Sequence, residues 1–304
     1  MSNEFDLILQ IASSSKTDAS DVQLGIGDDC AVWNVGESRV LLAADMLLEG
    51  VHFDLTQLTF YQVGRKALAV NLSDIAAMGG EPKTALVSLA VPSSCSIIEM
   101  TSLMDGLIAL GREYGTTIVG GDTTSHDGPL MINVAITGLS HSSPILRSGA
   151  KEGDFLFVTG ALGGSISGHH WSFTPRVREA IQLDSSFKIN SMIDLSDGLA
   201  SDIRHIAEAS SLGCILEERD IPISDRVIHN LSDDERIYHA LSDGEDYELL
   251  FTVSQDDAEK LRKQNEIDVH QIGQMQGGPD QIMMKKIDGS LVELPDSGWK
   301  HSLK

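Results

Sequence analysis

Six short segments place carboxylates inside apolar, glycine-rich sequence. They are Gly27-Asp28-Asp29, Ala44-Asp45, Asn71-Leu72-Ser73-Asp74, Gly120-Gly121-Asp122, Asp194-Leu195-Ser196-Asp197-Gly198 and Gly244-Glu245-Asp246. Most open or follow short β-rich runs, which puts their side chains at strand ends or tight turns rather than on solvated helix faces. A carboxylate withdrawn from water is costly unless a cation accompanies it. Six such sites in one chain point to a shared cluster of divalent metal ions.

Taken singly, the motifs leave alternatives open. Gly27-Asp28-Asp29 reads slightly better as a surface turn, because Asp and Gly both favour turns. Gly120-Gly121-Asp122 reads either as a plain β-turn or as a backbone that phosphate can approach, with Asp122 on a phosphate-bound metal. Asp74 has Ala, Ile and Met around it in a helical pattern and is better read as metal-facing. At 194–199 a strand gives way to a helix, which Ser196 or Asp197 can cap. Capping leaves Asp194 over, directed at the cleft. Glu248 alternates with apolar neighbours and reads as structural. Arg147 and His52 are candidate phosphate donors, or else surface or core-edge residues. His169, His170, His205 and His239 lack metal-binding spacing and stay unassigned.

The elements that must position these residues follow from periodicity. Residues 1–24 read as a short helix and a polar linker, 40–44 as a strand ending at Asp45, and 60–78 as a helix stopped by Gly79-Gly80. A strand is expected at 84–91, then a helix at 97–114 with Ile97, Leu103, Leu107 and Leu110 buried, and strands at 116–119 and 130–137. Residues 140–151 have the composition of a connection. A second α/β pattern follows, with strands at 155–159, 189–193, 214–217, 247–253 and 269–272 and helices at 175–183, 201–210 and 257–263. Acidic turns after strands in both halves predict a ligand cleft between two α/β domains.

Composition narrows the function. The chain has 304 residues, 22 basic against 45 acidic, for a net charge of −23. This disfavours nonspecific binding to nucleic acid or anionic membranes, which needs a basic footprint. Asp233-Asp234-Glu235, Asp256-Asp257 and Glu217-Glu218 read as solvated surface. Cys30, Cys95 and Cys214 are scattered, so a disulfide scaffold or zinc site is not expected and a reducing cytoplasm is the default. No secretory signal or membrane-length apolar run is evident. A P-loop and a Gly-x-Gly-x-x-Gly dinucleotide motif are absent. Gly164-Ser165-Ile166-Ser167-Gly168 lacks the strand and helix of a nucleophile elbow.

Jointly the motifs resemble the thiamine-monophosphate kinases of the aminoimidazole-ribonucleotide-synthetase-like superfamily. The resemblance rests on Gly25-Ile-Gly-Asp-Asp-Cys-Ala-Val32, Glu49-Gly-Val-His-Phe53, Lys66-Ala-Leu-Ala-Val-Asn-Leu-Ser-Asp74, Gly120-Gly-Asp-Thr-Thr124, Arg147-Ser-Gly149, Asp194-Leu-Ser-Asp-Gly-Leu199, Gly244-Glu-Asp-Tyr-Glu-Leu249 and Gly298-Trp299. It implies a two-domain α/β (α+β) fold. Residues 1–139 would form an ATP- and Mg-binding dimerisation domain whose mixed sheet joins that of a partner in a barrel. Residues 140–304 would form a C-terminal α/β domain closing the substrate cleft. It implies a cytoplasmic homodimer that moves the γ-phosphoryl group of ATP directly onto thiamine monophosphate, the last step to thiamine diphosphate, with several Mg²⁺ ions and no covalent protein nucleophile. Carried over by motif, Asp28, Asp29, Asp45, Asp74, Asp122, Asp194 and Asp197 would hold metal. Gly121, Asp122, Arg147 and Ser196 would contact ATP, and His52, Glu245 and Trp299 the thiamine phosphate.

Three positions depart from the family pattern. Ala43-Ala44 replaces hydroxyl residues before Asp45, Met104 replaces an aromatic before Gly106, and Pro175-Arg176 follows Gly163 after a shortened segment. The nearest alternative is aminoimidazole-ribonucleotide synthetase activity within the same superfamily. A selenophosphate synthetase would want a reactive Cys before Cys30, and a hydrogenase-maturation relative a C-terminal Cys. A nucleotide sensor or metal store that has lost catalysis is the alternative of a different class.

Overall fold

The structure is a computed structural model describing residues 4–15, 19–227, 231–279 and 281–299, with the backbone alone at residues 5 and 6. The first half runs α1 (Glu4–Ser14), β1 (Val22–Leu24), β2 (Ala31–Val35), β3 (Ser38–Leu48), α2 (Phe60–Ala77), β4 (Glu81–Pro92), α3 (Ile97–Glu113), β5 (Thr117–His126) and β6 (Met131–Ser140). Its strands make one sheet in the order β1-β2-β3-β6-β4-β5, antiparallel except at the parallel β4–β5 edge. Ile132, Val134 and Ile136 of β6 are buried while the residues between them are half-buried, the period of two of a sheet with one face on the core.

The buried face is covered by α2 and α3, each opened by a reciprocal capping box (Thr59 with Gln62, Ser96 with Glu99). The two helices cross in near-contact at glycines. A Cβ on Gly64 would lie 1.9 Å from the Leu103 carbonyl oxygen, and one on Gly106 2.0 Å from that of Tyr61. Helix α2 is buried almost all round because it also packs against elements of the second half.

That half contains β7 (Phe155–Thr159), a π-helical turn (Ser165–His169), α4 (Val177–Ser186), β8 (Ile189–Asp194), α5 (Leu199–Ser210), β9 (Gly213–Glu217), α6 (Asp233–Ser242), β10 (Leu249–Val253), α7 (Gln255–Leu261), β11 (Val269–Gln276), β12 (Ile282–Lys285) and β13 (Leu291–Glu293). Its sheet has the order β13-β12-β9-β11-β7-β10-β8, with β9 and β12 the parallel pair. Helix α2 touches β8 and α4, so one helix serves both sheets. Among the described residues no helix is long and apolar enough to cross a membrane.

Several elements differ from expectation. Strand β1 lies at the end of the expected linker, β2 falls where no element was expected, and β3 runs through Asp45 to Leu48 instead of ending there. Gly120-Gly121-Asp122 is not a turn but the middle of β5. Gly121 is needed there because a Cβ would sit 1.7 Å from the Val87 carbonyl oxygen. Ile97 opens α3 on the outside, 86% exposed, since the first turn overhangs the core. Asp233-Asp234-Glu235 is exposed but forms the first turn of α6, where acids favour the helix dipole. Glu218 is buried, with Lys286 as its ion-pair partner. Glu248 is buried in a pair with Arg176 and accepts from Thr159 Oγ1 at 2.6 Å, the structural role expected of it.

Candidate active site

The alternation of β3 aims the first carboxylate. Leu41 and Leu47 are buried and Leu42 and Met46 exposed, so Asp45 lies on the inner face, towards α2. Its backbone is fixed by Asn71 Oδ1, which accepts from the Asp45 N–H at 3.2 Å, and by Asn133 Nδ2, which donates to the Asp45 carbonyl at 3.1 Å. Asp74, near the end of α2, lies beside Asp45, close enough that each carboxyl shifts the other's pKa. Strand β8 ends on Asp194, whose Oδ2 accepts from Ser73 Oγ at 2.6 Å. Asp29, in the bend before β2, completes a group. Single oxygens of Asp29, Asp74 and Asp194 lie within 4.8 Å of one another.

Burial and mutual repulsion dominate the electrostatics. Burial raises Asp29, Asp45 and Asp74 above the usual carboxylate range and pushes Asp194 to about 8; neighbouring aspartates add to the effect at Asp74 and Asp194, while at Asp45 the proximity of Asp74 works against it and Asp29 adds to it. Asp28 is raised to about 6 by burial and by Asp29. Arg147 is the cation among them. Its Nε donates to Asp29 Oδ1 at 3.2 Å, its Nη2 to the same oxygen, and its backbone N–H to Asp28 Oδ2 at 3.1 Å. Burial works against the guanidinium charge, but Asp29 and Asp28 outweigh it and raise its pKa. Asp29 Oδ2 is buried without a hydrogen-bond partner. One guanidinium cannot neutralise this many buried carboxylates. The all-oxygen donor set and the orphan oxygen fit a hard divalent ion such as Mg²⁺.

A cavity of about 620 Å³ opens beside the cluster. Asp45, Asp74, Asp194, Ser196 and Asp197 line it together with His52, Glu245 and Trp299. His52 Nδ1 accepts from the Leu48 N–H at 3.0 Å, which leaves its ring proton on Nε2. The Trp299 N–H donates to the Asp197 carbonyl at 3.0 Å, and the Glu245 N–H to that of Ser196 at 2.7 Å, so chain end and loop both brace the 194–198 turn. Glu245 and Tyr247 each have φ of 52°, a left-handed conformation costing non-glycine residues on the order of 1 kcal/mol.

Gly121 and Asp122 are not brought to this cavity. Asp45, Val134, Val87 and Gly121 form one row across β3, β6, β4 and β5, so three strand spacings, about 14 Å, separate the ends. Asp122 therefore cannot share an ion with the other aspartates of its own chain. It lines, with Gly121 and Met104, a separate groove between β5 and α3. Asp197 forms a second group, with Asp202 and His205. Nor do Ser196 or Asp197 cap α5. Asp202, from inside the helix, accepts from the Asp197 and Gly198 N–H groups at 3.1 Å each. Sequence reasoning passed over Asp202 and left His205 unassigned, although their i, i+3 spacing puts them on one helix face. It also left His170 unassigned and passed over the role of Lys66, whose signal was a lysine on the apolar stripe between Val63 and Val70.

Residues 27–140 match the family described as AIR synthase related protein, N-terminal domain, and residues 151–286 its C-terminal domain. The thiamine-monophosphate kinase of Rhodopirellula baltica is 41% identical over 247 residues, which is 78% of each chain. That of Bacillus subtilis is 35% identical across 98% of this chain and 99% of its own. The solved structure of AaThiL complexed with AMPPCP and TMP is similar over 99% of this chain and 97% of that one, with a TM-score of 0.84 and 30% identity.

Proposed function

The chain belongs to the thiamine-monophosphate kinase family, built from two AIR-synthase-related domains, and we propose that it transfers the γ-phosphoryl group of ATP to thiamine monophosphate by direct in-line displacement. The observation that carries this reading is the convergence of buried Asp29, Asp74 and Asp194 beside a cavity whose wall holds His52, Glu245 and Trp299. Two anionic partners repel, and phosphoryl transfer depends on alignment and charge neutralisation rather than on a protein nucleophile. Mg²⁺ held by Asp28, Asp29, Asp45, Asp74, Asp194 and Asp197 would neutralise charge on the phosphoryl oxygens. Arg147 and Ser196 contact ATP in this reading. His52 donates through Nε2 to the acceptor phosphate, and Trp299 offers an aromatic face to the cationic thiazolium.

The domains divide near residue 140, the first binding nucleotide and metal and the second closing the cleft, in a cytoplasmic homodimer whose first-half sheets meet in a barrel. Leu42, Met46, Leu86 and Val119, exposed apolar residues on sheet strands, support that contact. In such a dimer the Gly121-Asp122 groove of one copy supplies the nucleotide contacts that its own aspartate cluster is too far away to use. The test is product analysis after mixing the protein with ATP, Mg²⁺ and thiamine monophosphate. Thiamine diphosphate and ADP in equal amounts are expected, and ADP release indifferent to thiamine monophosphate defeats the reading.

A further inference from the structure

Lys66 is fully buried on α2, and its ammonium is shared by three segments distant in sequence. Nζ donates to the His52 carbonyl at 2.6 Å and to Glu245 Oε1 at 2.6 Å, and lies 2.9 Å from His170 Nδ1. Burial lowers the pKa of Lys66 and raises that of Glu245, which alone would favour a neutral pair. The geometry opposes this. The 2.6 Å contacts to the His52 carbonyl and to Glu245 Oε1 are as short as charge-assisted bonds, and an ammonium has one proton for each of its three acceptors.

A donor-only ammonium also fixes its neighbours. His170 Nδ1 must accept, so the ring proton sits on Nε2, and burial, followed by the charge of Lys66, holds the imidazole neutral with a pKa pushed down to about 4. Glu245 spends Oε1 on Lys66 and keeps Oε2, 3.4 Å from His170 Nδ1, as an acceptor. Both side chains line the cavity. The segment carrying His170 is gripped from the same helix turn, since Arg65 Nη2 donates to the Phe173 carbonyl at 2.8 Å.

We propose that Lys66 is a positioning residue that presets Glu245 and His170 as an adjacent acceptor and donor for the edge of an aminopyrimidine ring. This rests on the function proposed above, in which the acceptor substrate carries such a ring. The exocyclic amine donates and the neighbouring ring nitrogen accepts, the complement of a carboxylate beside an imidazole N–H. A carboxylate here repels the phosphate end of the same substrate, which leaves that end to the metal and to His52 Nε2. Lys66 touches neither ring nor phosphate.

The experiment is steady-state kinetics with ATP and Mg²⁺, comparing thiamine monophosphate with oxythiamine monophosphate, whose ring carries an oxo group in place of the amine. The wild-type chain is expected to prefer the amine by at least about 100-fold in kcat/KM. His170→Phe and Lys66→Met should each raise KM for thiamine monophosphate about 10-fold or more, leave KM for ATP within about 3-fold, and erode most of that preference. Lys66→Met strands the Glu245 charge and can fail to fold. The double variant Lys66→Met/Glu245→Gln removes both charges, and is expected to melt like the wild type while keeping the raised KM. A folded double variant or His170→Phe with wild-type KM and wild-type preference overturns the proposal, as does an equal rise in both KM values. Wild-type turnover is the separating control. Its absence defeats the functional reading and the pair with it, whereas turnover with an unaltered preference in His170→Phe defeats the pair alone.

Discussion

Ser73 and Asp194 meet across the two halves of the molecule. The hydroxyl on α2 donates to the carboxylate at the end of β8 at 2.6 Å, joining neighbours 121 positions apart in sequence. That bond favours the ionised carboxylate against the burial that raises it. Ser73→Ala is therefore expected to weaken Mg²⁺ binding by about 10- to 100-fold. Activity measured against Mg²⁺ concentration reads the change, and an unshifted midpoint contradicts it.

Asp74 lies where the repulsion is concentrated, with burial, Asp45 and Asp194 all raising its pKa. Asp74→Asn should lower turnover by at least about 100-fold while the circular dichroism spectrum stays that of the wild type. Near-normal turnover would remove Asp74 from the site.

The raised carboxylates also set a pH dependence for the metal-free protein. Asp28 and Asp194 bind protons more tightly folded than unfolded, with folded pKa values of about 6 and about 8. The stabilisation they give is complete below the unfolded value near 3.8 and is lost as pH rises through the folded values. In EDTA the melting temperature should fall by roughly 5 °C or more between pH 5 and pH 8. Excess Mg²⁺ should flatten the curve. A melting temperature that rises over that range without metal contradicts the assignment.

If Asp122 serves the aspartate cluster of a second copy, two inactive variants should rescue each other. Mixing Asp122→Asn with Asp74→Asn, after subunit exchange, is expected to restore about a quarter of wild-type activity, since half the dimers are mixed and each holds one intact site. No recovery, with exchange verified by mass, would place Asp122 outside a shared site.

Gly106→Ala tests the helix crossing. A methyl group 2.0 Å from the Tyr61 carbonyl oxygen must push α3 off α2. The expected cost is about 1–3 kcal/mol or more, read by chemical denaturation.

Much of this was legible in the sequence because local chemistry carried it. The helices at α2 and α3 follow from apolar spacing, with Gly79-Gly80 stopping the first, and the carboxylates of Asp29, Asp74 and Asp194 stood out against apolar neighbours before any contact was known. Asp122 was grouped with them because glycine-aspartate spelling is the same in a turn and in a strand. Only the register of β5 against β4 shows that Gly121 serves close backbone approach and that Asp122 stands three strands from Asp45. Lys66 was hidden for a different reason. A lysine on an apolar stripe has no meaning until three distant acceptors fold around it.

Arg147 has a consequence for the order of events. Its guanidinium is paired with Asp29, placing a positive charge on one of the carboxylates of the cluster. A divalent cation bound at Asp29 would compete with that arginine rather than with water, and by taking Asp29 it would set free a positive arm. In the proposed function, loading of metal and capture of polyphosphate would then be coupled through one side chain that changes partners, so each should tighten the other by the same factor.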